Sequence, residues 1–177
     1  MRVVGKHSHL GGHEYLLMHR KRVCSEIAVA IKGGSTKELG GTLAPFEPAH
    51  RGVRPWPAEI ILQVGERLSQ RRWQQMPGPT SCAQPNAAPA QIELVKERVA
   101  ITLHVATLPS VGCELFARDA ALFASDLVDV GIHILPAMEW LGELSTGIAY
   151  YEGELYNLIR QGRGVPAVPL VVMGLAP

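Results

Sequence analysis

One stretch of the chain, residues 91–106, combines an acid, a hydroxyl and an imidazole in an otherwise apolar segment. Glu93 precedes the run Val99–Val105, in which Val, Ile and Thr alternate with the period of two that is typical of a β-strand. Thr102 and His104 therefore share one face of the predicted strand with Ala100. Carboxylates and imidazoles hold metal ions or transfer protons. The pattern predicts either a functional site or a hydrogen-bonded polar pair within the core.

Short motifs follow one another in a fixed order from Gln91 to the end of the chain. In that order they resemble the BglII family of type II restriction endonucleases, and most of all its BstYI-like branch. The front of the chain matches the family's opening at Ser8-His9-Leu10, Gly12 and Glu14-Tyr15, whereas residues 33–90 match only faintly. The motifs are Val95–Ile101, Glu114–Phe116, Ser125-Asp126, Asp129–Gly131, Ile134–Pro136, Gly147–Asn157, Ile159–Ala167 and Pro169–Val171.

The resemblance implies a catalytic pattern of an Asp, a Glu nine positions later and a Gln two further on. Glu93, Thr102 and His104 occupy these places here. Such carboxylates hold a divalent ion that polarises the scissile phosphate and activates a water, which implies Mg²⁺ or Mn²⁺ as cofactor. Thr102 removes one carboxylate from this set. His104 could orient or deprotonate a water, but its imidazole suits later transition metals better than magnesium.

A replacement carboxylate is available in the next predicted element. Residues 110–126 have the apolar spacing of an amphipathic helix, with Ser110 as N-cap and Glu114 in the first turn. Glu114 is then either an acid that suits the helix dipole or a migrated metal ligand. The catalytic candidates are therefore Glu93, His104 and Glu114, of which Glu93 and Glu114 are the metal candidates.

Length and composition are consistent with one domain over residues 1–177, with a divergent part at 1–90 and a family-like core at 91–177. The chain has 177 residues, 47% of them hydrophobic, and a net charge of +1, which neither requires nor excludes nucleic acid. No apolar run reaches transmembrane length, and the start lacks a signal-peptide core. Three cysteines argue against a disulfide framework, so we expect a reduced, cytoplasmic protein.

The remaining patterns predict an α/β fold. We expect helices over residues 15–31, 58–73 and 148–161, strands over 128–135 and 165–175, and loops over 33–57 and 76–90. Pro166 and Pro169 suggest that the last strand lies at an edge or starts late. The resemblance implies a restriction-endonuclease-like core, in which helices flank a mixed central sheet.

Several polar clusters admit two interpretations. The opening histidines, His7, His9, His13 and His19, could bind zinc but lack a recognisable zinc pattern, which favours a polar segment leading into a helix. The basic end of the second predicted helix, residues 71–73, could contact a DNA backbone or be a solvated helix end. Arg160 and Arg163 could contact phosphate or cap helix carbonyls.

Three functional hypotheses follow. The first is a metal-dependent endonuclease that cleaves double-stranded DNA as a homodimer, with a site rearranged around Glu93 and His104 and, if its carboxylate has migrated, Glu114. The second is a catalytically inactive family relative that binds DNA as a dimer. The third is the same scaffold used for an unrelated partner, because function depends on the site rather than on the fold.

Overall fold

The computed structural model describes residues 2–32, 57–76, 91–104, 117–140, 149–154 and 168–176. One six-stranded mixed sheet organises them, in the order β1-β6-β5-β4-β3-β2. The pairs β4–β5 and β5–β6 are parallel, and the other pairs are antiparallel. The elements are β1 (Arg2–His9), α1 (Gly12–His19), α2 (Lys21–Lys32), α3 (Pro57–Ser69), β2 (Gln74–Gln75), β3 (Gln91–Lys96), β4 (Val99–His104), α4 (Asp119–Ala124), β5 (Val130–Pro136), a 3-10 turn (Met138–Trp140) and β6 (Leu170–Ala176).

Helices α1, α2 and α3 cover one face of the sheet and form the main apolar core. Alternate residues of the central strands point into this core, as the period of two requires. Burial of this surface is the main favourable term in the stability of the fold. The core includes Val23, Ile27, Ile31, Val64, Leu68, Leu94, Val99, Ile101, Leu103, Val130, Ile132, Ile134, Val171 and Met173.

The opposite face of the sheet has two smaller apolar clusters. One cluster joins Met76, Ala100, Leu122 and Val128, and so places α4 against β4. The other contains Leu135, Ala149, Tyr151, Val168, Leu170 and Val172. The polar residues Glu93 of β3, Thr102 and His104 of β4, and His133 of β5 lie on this same face, because they alternate along each strand with the core residues of the helical side.

A buried carboxylate joins three elements on the helical side. Glu26 of α2 is 3% exposed and accepts hydrogen bonds from the Nζ atom of Lys96 at 2.6 Å and from the indole nitrogen of Trp73 at 3.1 Å. A buried acid is tolerated only when it is paired and hydrogen-bonded in this way. The contact fixes β3 against α2 and against the chain that follows α3.

The two-residue turn between β3 and β4 adopts a left-handed backbone. Glu97 and Arg98 have φ values of 50° and 65°, the sign that a type I′ hairpin turn requires at both positions. Arg98 compensates for this conformation by donating to the carboxylates of Asp126, at 2.6 Å, and Asp129, at 2.9 Å. Asp129 also accepts a hydrogen bond from the Tyr15 hydroxyl at 2.6 Å. These contacts attach the hairpin both to the start of β5 and to α1.

The predicted α/β class, with a mixed central sheet flanked by helices, is confirmed. The last strand starts late, immediately after Pro169, but it lies inside the sheet between β5 and β1. The helix predicted over residues 15–31 is instead two helices, because the backbone leaves helical geometry at Arg20, where φ is −136°. Strand β1 was not predicted, since its sequence, Arg-Val-Val-Gly-Lys-His-Ser-His, has no alternation of apolar and polar residues.

Several predictions lie outside the described residues. These are the loops over 33–56 and 77–90, the start of the helix at Ser110, most of the helix over 148–161, and the side chains of Glu114, Arg160 and Arg163. Among the described helices, none is long and apolar enough to cross a bilayer.

Replacement of Glu97 by Asn should stabilise the protein. Asn adopts positive φ at lower cost than Glu and is favoured at the first central position of a type I′ turn. We expect the free energy of unfolding to rise by about 0.5–1 kcal/mol, measured by urea denaturation. Glu97→Ala is the matched control and should not stabilise the fold. An equal gain in both variants would show that the Glu97 side chain, and not the backbone, is responsible.

Candidate functional site

A row of polar side chains crosses the middle of the sheet. Glu93 of β3 pairs with Thr102 of β4, which in turn pairs with His133 of β5. His104 lies one position further along the same face of β4. All four residues are buried, and His104 is fully enclosed. The predicted shared face of Thr102 and His104 is therefore present, with Glu93 directly beside Thr102.

Two consecutive residues at the start of α4 approach this row from above the sheet. Arg118 forms an ion pair with Glu93 on β3, and Asp119 contacts His133 on β5. The two contacts therefore lie on either side of β4. Burial of Leu122 against Ala100 and Val128 holds α4 in this place.

The Arg118–Glu93 pair neutralises the acid that was predicted to bind a metal. Their side chains are only 11% and 8% exposed, so little water screens either charge. Removal of one partner from a buried pair leaves an uncompensated charge and typically costs about 3–5 kcal/mol. Glu93 is thus a structural partner of Arg118 in this arrangement, whatever else it does.

Asp119, His133 and His104 form a chain of hydrogen bonds within the site. The Nε2 atom of His133 lies 2.6 Å from Oδ2 of Asp119, and its Nδ1 atom lies 2.9 Å from Nε2 of His104. The two rings are stacked at a centroid distance of 5.2 Å. Burial holds the pKa of His104 well below its ordinary value. His104 is therefore a neutral imidazole.

Gly131 makes the approach of Asp119 possible. This residue lies directly opposite Ala100 of β4 and two positions before His133 on the same face of β5. A Cβ atom on Gly131 would overlap the carboxylate of Asp119. Glycine is needed here for space rather than for a special backbone conformation.

The described side chains do not fit a magnesium ion. Magnesium prefers carboxylate and water oxygens, yet Glu93 is paired with Arg118 and Thr102 offers only a neutral hydroxyl. Across the ranges that the structure covers, no three His, Cys, Asp or Glu side chains are arranged to hold a metal ion. Glu114, the second metal candidate, lies outside those ranges, so its role stays a prediction.

Three site residues were missed by sequence reasoning: Arg118, Asp119 and His133. His133 had a usable signal, because it is a lone imidazole in the centre of the apolar strand predicted over residues 128–135. Adjacent opposite charges near the start of an amphipathic helix were a weaker signal for Arg118 and Asp119. Such charges usually form a solvated face, and only the fold shows that they meet the sheet.

The depressed pKa of His104 predicts a loss of stability in mild acid. The unfolded chain takes up a proton near pH 6.5, whereas the folded chain resists protonation until lower pH, so stability falls as pH drops below about 6.5. Between pH 7.5 and 5.5, the wild type should lose about 1 kcal/mol more than His104→Gln. Urea denaturation at both pH values measures this difference. Parallel losses in the two proteins would contradict it.

Comparisons with known proteins identify the family and the fold. A family model described as restriction endonuclease BglII/BglIII matches residues 4–175. The chain is similar in structure to free BglII, with 16% identity, a TM-score of 0.64 and coverage of 100% of this chain and 80% of that one.

It is also similar to BglII complexed with a DNA 16-mer, with 14% identity, a TM-score of 0.71 and coverage of 100% and 79%. A search of curated protein sequences gave no match. Because the family model spans nearly the whole sequence, this chain belongs to the BglII/BglIII restriction endonuclease family.

Proposed function

We propose that this chain is a double-stranded DNA endonuclease of the type II restriction class. The observation that supports this function most strongly is the family match over residues 4–175. The similarity of the fold to BglII complexed with a DNA 16-mer adds support, at a TM-score of 0.71 over 100% of this chain. As in other restriction enzymes of this class, two copies would act together on a two-fold symmetric site.

His104 and Arg118 are the described residues whose chemistry suits phosphodiester hydrolysis in this proposal. A neutral imidazole accepts a proton from an attacking water, and a guanidinium interacts favourably with a phosphate oxygen. Glu93 orients Arg118 through their ion pair. The family generally uses divalent metal ions, and here Glu93 and Glu114 are the proposed ligands. The described donors alone do not hold magnesium.

A second candidate function is favoured by the Arg118–Glu93 ion pair. An arginine bound to the remaining carboxylate repels a divalent cation, and Thr102 supplies no second acid. A family member with this site would bind double-stranded DNA as a dimer without magnesium-dependent cleavage. Both candidates include DNA binding and differ in the chemical step.

Cleavage assays on a long DNA separate the two candidates. The DNA carries many GATC-containing sites, the kind of two-fold symmetric sequence that the resemblance to the BglII family implies. We expect wild-type protein to produce discrete fragments, with magnesium, manganese and EDTA tested in parallel. Glu93→Gln should abolish the fragments because it removes the charge that orients Arg118. Glu139→Gln is the matched control, since Glu139 pairs with Arg2 on the surface. A folded wild type that shifts DNA in a gel but never cuts it would establish the second candidate.

Thr102→Glu should create magnesium binding. The new carboxylate would lie directly opposite Glu93 on the neighbouring strand, and two acids so placed repel unless a cation lies between them. We expect magnesium to raise the melting temperature of this variant, by about 2–4 °C for each kcal/mol of binding energy. Thr102→Gln, with similar shape and no charge, should not respond. The same response in both variants would show that the number of carboxylates does not limit magnesium binding at this site.

A further inference from the structure

When both histidines are neutral, the hydrogen-bond chain from Asp119 to His104 determines which ring nitrogen of each one carries a proton. A carboxylate accepts hydrogen bonds, so the Nε2 atom of His133 donates to Asp119 across 2.6 Å. In a neutral His133 ring the Nδ1 atom then has no proton and must accept. The atom that faces it at 2.9 Å, Nε2 of His104, is therefore the donor.

The same reasoning determines the state of the remaining nitrogen. A neutral His104 has one ring proton, which its Nε2 atom already uses. Its Nδ1 atom is left with a free lone pair. This atom is buried, and within the described residues it has no hydrogen-bond partner. The other three ring nitrogens of the two histidines all have defined partners.

We propose that Asp119 and His133 are positioning residues that hold His104 in the tautomer protonated at Nε2, so that its Nδ1 lone pair is presented as an acceptor at the end of β4. An unpaired acceptor in a buried place is costly, typically about 1–3 kcal/mol. Such a group is retained at a loss of stability, which is characteristic of functional positions.

The tautomer restricts what His104 can bind. Nδ1 accepts a proton or a hydrogen bond, so its partner must be a donor such as water, a hydroxyl or an amine, and a phosphate oxygen without a proton is excluded. A carboxamide side chain at this place could orient a water but could not take its proton. The imidazole can take it, and its use in hydrolysis rests on the proposed function.

Nitrogen-15 NMR of the histidine side chains tests the tautomer directly. The measurement uses full-length wild-type protein at pH 8 without DNA or metal, and His104→Gln identifies the His104 signals by their loss. We expect the directly bonded proton on Nε2 and an unprotonated Nδ1. A proton on Nδ1 would overturn the proposal. Because the tautomer is read from the wild type without DNA, the result does not depend on whether the protein cuts DNA.

Variants of the two positioning residues complete the test. Asp119→Ala and His133→Phe should each shift His104 to a mixture of tautomers, whereas Asp126→Ala, at an exposed acid, should not. In the cleavage assay, Asp119→Ala and His133→Phe should each lower the cleavage rate by about a hundredfold, with DNA affinity unchanged. An unaltered His104 tautomer in both variants would contradict the proposal. If the wild type has the expected His104 tautomer and binds DNA but never cuts it, the proposed function is rejected and the tautomer assignment stands.

Discussion

Burial of an acid and an imidazole on the middle of a β-sheet dictates where the helix that covers them must lie. Glu93 and His133 lie on either side of β4 on a largely apolar face, and both need polar partners that water cannot supply there. Arg118 and Asp119 supply those partners from one point of the chain. The position of α4 over the sheet is therefore set by electrostatics as well as by packing.

The two faces of the sheet have different roles: one carries the main apolar core, and the other carries the candidate site. Three helices bury the helical side with a continuous apolar core, in which Glu26 is a paired exception. The other face interrupts its apolar surface at β3, β4 and β5 to hold the polar row. The apolar core on the helical side stabilises the sheet and offsets the cost of burying polar groups on the other face. The strands that carry Glu93 and His104 are held in place by that core.

The sequence predicted the sheet better than it predicted the site. The alternation of residues 99–105 placed Thr102 and His104 correctly, because strand geometry is local and periodic. The break at Arg20 could not be foreseen, since no glycine or proline marks it. Arg118 reaches Glu93 across 25 positions of sequence, and no local pattern encodes such a contact. The proton positions in His104 and His133 likewise depend on a partner known only from the fold.

The adjacency of Arg118 and Asp119 has a consequence for how this site can change over generations. Four residues form two buried polar contacts, Glu93 with Arg118 and Asp119 with His133. A single substitution at any of them leaves its partner buried without a compensating group, at the full cost of desolvation. Neutral drift at any one of these positions is therefore restricted until its partner changes too. Gly131 extends the restriction to the backbone, because a larger residue there displaces Asp119. We expect the five positions to be inherited as a linked set, so that relatives either keep the whole arrangement or have replaced it together.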